Sequence, residues 1–172
     1  GNGQRELEEV LAGLRRPSAR ELRVAGVALA ASPRALRREG VAHLSGDRES
    51  AGLVPGMSVA ENFVLKGSYD ARDCFRRGLF DPRAARAAAA LAIERFSLRP
   101  PDPELLVRLL SGGNAQKLAV ARELARAPRV LIAIQPTRGL DVGSARFVHE
   151  QLLALRSSGA AVLLISSELD EV

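Results

Sequence analysis

Two short apolar runs, Val130–Ile134 and residues 160–165, each follow a stretch of helical spacing, and this alternation constrains the fold more than any other feature of the chain. Residues 114–127 read as a helix, the first run as a strand, residues 144–156 as a second helix and the last run as a second strand. Uninterrupted apolar runs of this length suit strands covered on both faces, and a helical crossover returns the chain to a parallel neighbour. An α/β layered domain with a parallel-sheet core is the expected class. With 172 residues there is material for one substantial core.

Upstream the pattern is more broken. Leu7, Val10, Leu11 and Leu14 recur at helical spacing, so a first amphipathic helix should end before Pro17. Residues 22–29 alternate loosely and predict a strand or hairpin, a β-rich edge to the domain. Pro33 opens a short helix that Gly40 stops, and residues 41–44 form a compact strand. A charged, glycine-rich loop over residues 45–55 leads to Ser58-Val59-Ala60-Glu61, a capping box that begins another helix. Residues 68–80 have no firm period and read as loop with a short helix. Residues 84–96 are a strong helix former, broken by Pro100, Pro101 and Pro103. Together these place a helical insertion beside the sheet, a subdomain over approximately residues 58–127.

Several function classes are disfavoured by composition. Cys74 is the only cysteine, which leaves neither a disulfide framework nor a thiolate metal site, and His43 and His149 make no ligand pattern. A net charge of +5, from 25 basic against 20 acidic residues, comes in mixed clusters, and the aromatics are five Phe, one Tyr and no Trp. Nucleic-acid binding, which calls for basic stripes beside stacking aromatics, is not expected. No apolar run approaches the roughly 18–20 residues of a membrane span.

The most informative stretch is Ser111-Gly112-Gly113-Asn114-Ala115-Gln116-Lys117. A serine before a helix start, with two glycines clearing bulk, leaves first-turn amides free for an anion such as phosphate. A plain serine N-cap after a glycine turn is the competing reading. Beyond the strand end lies Gln135-Pro136-Thr137-Arg138-Gly139-Leu140-Asp141, where open α/β sheets place ligands.

In these segments the chain resembles the ABC ATPase family, and within it the second nucleotide-binding domain of the fused ATPase subunits of simple-sugar and nucleoside importers. Residues 110–117 look like the family's LSGGNxQK signature, and residues 136–143 like its post-strand and D-loop segment with Leu140 and Asp141. The likeness extends through residues 52–62 and 162–169 and so covers essentially the whole chain. It implies a P-loop NTPase-like fold with ATP as ligand, contacted by Gly1, Gly3, Gln4, Arg5, Ser111, Gly112, Gly113, Asn114 and Gln116. The opening glycine turn should follow a strand, so the N-terminal strand and part of the phosphate loop are expected to be missing and the chain is read as a segment of a longer polypeptide.

The catalytic centre departs from the family pattern. The phosphate loop should supply a lysine and a magnesium-binding hydroxyl, and Gln4 and Arg5 stand there instead. The family's Asp-Glu at the strand end is Ile134-Gln135, and its switch histidine falls at Ser167. Residues 41–48 resemble the Q-loop region, but Gly46 lacks the expected side chain before Asp47 and Arg48. The resemblance implies that two nucleotide-binding domains pack head to tail, each signature facing the other's phosphate loop. The expected function is then a catalytically degenerate ATP-binding domain with no magnesium of its own, which supplies its signature to ATP and Mg²⁺ on a partner domain. Expected partners are that second domain, an integral-membrane permease and, indirectly, an extracytoplasmic substrate-binding protein, at the cytoplasmic face of the membrane. Two alternatives remain: an active ABC ATPase domain of a soluble DNA-maintenance or translation protein, and a structural domain that meets no nucleotide.

Overall fold

A computed structural model describes residues 3–18, 23–24, 27–28, 32–46, 52–66, 74–76 and 79–168. Three parallel strands form the centre: β3 (Val41–Leu44), β6 (Val130–Ile134) and β7 (Ala161–Ile165), in the order β3-β6-β7. Val41 pairs with Val130, and Ile134 with Ile165, so the three strands end along one edge. Two small antiparallel pairs lie outside this sheet, β1 (Arg23–Val24) with β2 (Val27–Ala28) and β4 (Phe75–Arg76) with β5 (Leu79–Phe80). The first is the hairpin expected at the β-rich edge. The second stands where loop and a short helix were expected. Within it Phe75 and Phe80 pack with ring centres 5.5 Å apart, a cross-strand aromatic pair that a helical reading cannot detect.

Alternation along β6 explains why both its faces are covered. Leu131 and Ala133 point into a core shared with Ala42 and Leu44 of β3, with α5 (Gly112–Leu124) and with α6 (Val142–Ser157). Ile132 and Ile134 point the other way, towards Leu36 of α2 (Pro33–Arg38) and Leu11 of α1 (Gln4–Leu11). Helices therefore lie on both faces, as a run of five apolar strand residues requires.

Capping residues set the helix starts. Ser58 and Glu61 form the expected reciprocal box at the head of α3 (Val59–Val64): Glu61 N donates to Ser58 Oγ at 3.1 Å, and Ser58 N to Glu61 Oε2 at 2.8 Å. Asp81 caps α4 (Pro82–Arg95), with Pro82 in the first turn, where its missing N–H costs nothing. Fully buried Asn62 of α3 accepts from Val54 N and donates to the Val54 and Ser58 carbonyls, pinning the loop ahead of the helix. Helices α3, α4 and α5 pack together and join the sheet through Val59, Ala92, Phe96 and Leu118. Among the described residues no helix is long and apolar enough to cross a membrane.

Candidate functional site

The parallel register brings three loops to the C-terminal edge of the sheet: Ser45–Gly46 after β3, Gln135–Thr137 after β6, and Ser166–Ser167 after β7. Helix α1 lies close to the first of these. Gly3, left-handed at φ 79°, caps α1, and Gln4 and Arg5 open it with exposed side chains. Arg5 Nε lies 3.2 Å from Glu9 Oε1, an exposed pair one turn on. Glu8 accepts from Ser45 Oγ at 2.9 Å and has an oxygen 3.3 Å from His43 Nε2, tying α1 to the loop beyond β3. Gly1, Asp47 and Arg48 lie outside the described residues.

The end of β6 is apolar and tightly packed. The Ile134 side chain is buried among Leu36, Val41 and Ile132. Gly46 presses on the same point, where a Cβ would stand 3.2 Å from the Ile134 carbonyl oxygen and 3.3 Å from its Cγ2. Gln135 then turns the chain with φ 42°, a left-handed conformation uncommon for a residue with a Cβ. Its N–H donates to Ile165 O at 2.7 Å and its carbonyl accepts from Arg138 N at 3.2 Å. Ser167 is exposed beyond β7. Among the described residues no group of three or more His, Cys, Asp or Glu is placed to hold a metal ion.

The entrance of α5 has the opposite character. Ser111 is its N-cap, with Oγ accepting from Asn114 N at 3.4 Å and from Asn114 Nδ2 at 2.9 Å. Gly112 faces open space, with nothing within 4 Å of where a Cβ would be. Gly113 is glycine for a different reason: a Cβ there would fall on the Ser144 hydroxyl, 3.1 Å from Ser144 Cβ and 3.3 Å from Asp141 Oδ2. The expectation that both glycines clear bulk for a phosphate therefore divides into one open position and one helix-packing position. Asp141 caps α6 by accepting from Ser144 N at 2.9 Å and Ser144 Oγ at 2.7 Å. Those two hydrogen bonds, the hydroxyl's first, hold its exposed carboxyl below the ordinary value. Leu140 is half-buried against the core just before this cap. Gln116 is directed inward: its amide donates to the Pro136 carbonyl, and it is 1% exposed, so it ties α5 to the segment after β6.

Sequence reading missed a buried charged cluster at the far end of α5. Arg122 and Glu123 on α5 are buried, with Arg122 Nε 3.1 Å from Glu123 Oε1 and Arg122 Nη2 donating to Gly52 O at 2.6 Å. Lys66, just past α3, pairs with the same Glu123 oxygen and donates to the His43 carbonyl at 3.3 Å. Burial disfavours the charged Glu123, but the Lys66 and Arg122 cations outweigh it and hold the carboxyl below its ordinary range. Burial likewise pushes His43 below its ordinary value, against the pull of Glu8. Fifty-seven residues separate Lys66 from Glu123, so no local pattern announces the pair.

Comparison with known proteins fits this geometry. The chain is 40% identical over its full length to a guanosine import ATP-binding protein, NupO, of Bacillus subtilis, and covers 34% of that protein. It is 43% identical over its full length to a glucose import ATP-binding protein, TsgD13, of Haloferax volcanii, covering 32% of it. The chain thus spans about a third of the length of the curated relatives it matches. Among solved structures, the dimeric bacterial ABC transporter cassette MJ0796 superposes with a TM-score of 0.78 at 20% identity, covering 98% of this chain and 72% of that one. The same cassette in a post-hydrolysis state bound to ADP and Pi gives 0.77. The model of the ABC transporter family matches residues 1–138, and with the cassette fold this places the chain in the ABC transporter family.

Proposed function

We propose that this chain is a nucleotide-binding domain of a sugar or nucleoside importer that lends the entrance of α5 to ATP held by a second nucleotide-binding domain, while its own centre does no hydrolysis. The observation that carries this reading is the contrast between the two ends of the site. At α5, Ser111 is exposed and Gly112 has open space around it, so a phosphate brought by another domain meets a hydroxyl and first-turn amides. At β6, the position that would hold magnesium is Ile134, buried against Leu36 and Ile132. Gln135 follows it and accepts no proton as a carboxylate would. The residues present do not fit a magnesium ion at this centre.

The role of α5 on this reading is electrostatic and geometric. Donors already aimed at a developing charge stabilise it without having to reorganise. Gly3, Gln4 and Arg5 remain in place to contact the phosphates of a nucleotide at this chain's own loop, without the lysine cation that family members supply there. Leu140 and Asp141 face the partner domain from the cap of α6, and helices α3, α4 and α5, within approximately residues 58–127, belong to the helical subdomain that carries the signature. The relatives' import names favour uptake of a sugar or nucleoside; on this reading the domain sits at the cytoplasmic face of the membrane, with an integral-membrane permease and, indirectly, an extracytoplasmic binding protein as partners.

Steady-state ATP hydrolysis by the full-length ATPase reconstituted with its permease tests the reading. Ser111→Arg, which fills the open entrance, should abolish nearly all turnover, whereas Gln135→Ala should leave it within about twofold. Removing a single well-placed anion donor typically lowers turnover by about 10²–10³. Normal hydrolysis by an assembled Ser111→Arg complex, or silence on Gln135→Ala alone, would reverse the assignment.

A further inference from the structure

The hydrogen bonds around Ser111 form a directed chain that starts outside α5. Arg99 N is 2.8 Å from Asn114 Oδ1. A backbone amide only donates, so this contact fixes which end of the Asn114 side chain is oxygen. The other end, Nδ2, is therefore the donor that stands 2.9 Å from Ser111 Oγ. Ser111 Oγ also receives the longer bond from Asn114 N, at 3.4 Å. A hydroxyl has two lone pairs and one proton, and both lone pairs are now engaged from the helix side. The proton is left to point away from α5.

We propose that Asn114 is a positioning residue: anchored by the Arg99 amide, it fixes the Ser111 hydroxyl as an outward donor to a phosphoryl oxygen. This rests on the reading of the α5 entrance as phosphate-facing. Without Asn114 the hydroxyl keeps its helix-capping bond but rotates freely, and aiming it again is reorganisation that a preset donor avoids. The anchor is itself held in place. Lys117, one turn along α5, donates to Ser97 O at 3.3 Å and lies 5.0 Å above the ring of Phe147. That ring packs edge-on to Phe96 at 6.3 Å, so residues 96–99 are clamped against the helix whose serine they orient.

A double-mutant cycle in the full-length ATPase with its permease, read as kcat and KM for ATP hydrolysis, tests the proposal. Asn114→Leu keeps the side-chain volume and removes both polar ends. With Ser111 present it should lower kcat by about three- to tenfold, as expected for losing alignment rather than the whole charged hydrogen bond, with KM little changed because the donor acts on charge that develops in the transition state. In the Ser111→Ala background the same change should shift kcat by less than twofold, since no hydroxyl remains to aim. Asn114→Asp retains the acceptor for Arg99 and replaces the donor by a second acceptor that draws the Ser111 proton inward. It provides the second arm should the leucine variant fail to assemble, and it too should act more strongly with Ser111 than without it. Equal losses in both backgrounds would make Asn114 a structural residue and overturn the proposal. So would full activity of both Asn114 variants beside an impaired Ser111→Ala, which leaves the phosphate-facing reading standing. Full activity of Ser111→Ala removes that reading, and the proposal with it.

Discussion

The end of β6 and the entrance of α5 lie on one domain and follow opposite rules. At β6, Ile134 is locked in an apolar cluster and Gln135 is held by its backbone. At α5 the polar atoms are outside, exposed and ordered by one another. On the proposed reading, the difference teaches that a centre without catalytic groups need not be loose. Here Gly46 and Ile134 close on each other, so the centre is a packed piece of core. On the proposed reading, the domain is close-packed where it does not react and keeps its polar order where a partner docks.

The largest expected effect comes from trying to undo that packing. Ile134→Asp removes a buried apolar side chain and puts an unpaired carboxylate among Leu36, Val41 and Ile132. Cavity and desolvation terms together make a loss of about 4 kcal/mol the expectation. The full-length protein should show a lowered unfolding midpoint or fail to accumulate, with no new magnesium-dependent turnover assigned to this centre. A stable variant that gains hydrolysis would mean the site is only one residue from activity.

Somewhat smaller is the effect of the buried charged cluster, which joins α5 to Lys66 beyond α3 and to the Gly52 carbonyl. Glu123→Gln leaves Arg122 and Lys66 without their carboxylate, and breaking a buried ion pair costs about 3 kcal/mol or more. The pH dependence has a definite sign. The folded Glu123 carboxyl titrates below its ordinary value of 4.5, so its contribution is complete above that pH and is lost as the pH falls through the folded value. Acid unfolding followed by circular dichroism should be steeper in the parent than in Glu123→Gln. Identical acid limbs would show that the cluster contributes no pH-dependent stability.

What the sequence revealed and what it concealed follows the same division. Local patterns marked the strands of the parallel sheet and the α-helices described around it, because a covered strand such as Val130–Ile134 and a cap such as Ser58 with Glu61 are written in neighbouring residues, whereas the short 3-10 turn at Val107–Leu109 was not expected. The family motifs pointed to Ser111 and Ile134 for the same reason. Contacts across the fold were not legible: Lys66 with Glu123, Gln116 with the Pro136 carbonyl, and Asn114 with the Arg99 amide join residues 15 to 57 positions apart. The Phe75–Phe80 pair was hidden because strands of two residues are too short to show a period.

The two glycines of the α5 entrance offer a finer division within one motif. Gly113→Ala forces a methyl onto Ser144 and towards Asp141, disturbing the cap of α6, and overpacking of this kind costs about 1–3 kcal/mol. Gly112→Ala enters open space in a helical first turn, where alanine is the better helix former, and should be neutral or slightly stabilising. Thermal unfolding of both variants separates the roles. Ser144→Ala should recover part of the Gly113→Ala loss by removing the hydroxyl on which the new methyl falls. Equal stability of the two glycine variants would show that Gly113 is not a packing residue.

The smallest effect bears on why β6 turns as it does. Gln135 holds φ at 42°, and the left-handed region costs a residue with a Cβ about 1–2 kcal/mol. That conformation is imposed from both sides, by the bond from its N–H to Ile165 O and the bond from Arg138 N to its carbonyl, neither of which uses the side chain. Relieving the strain should therefore leave the turn intact. Gln135→Asn exchanges one amide for another that tolerates this region better, and a gain of about 0.5–1 kcal/mol is expected. Gln135→Gly removes the steric penalty altogether but adds freedom to the unfolded chain, so its gain should be the smaller of the two. If the centre at β6 does no chemistry, both variants keep the full complex's ATP turnover while raising the unfolding midpoint. A variant that gains stability and loses turnover would give the Gln135 side chain a part in hydrolysis, and the division between the two ends of the site would no longer hold.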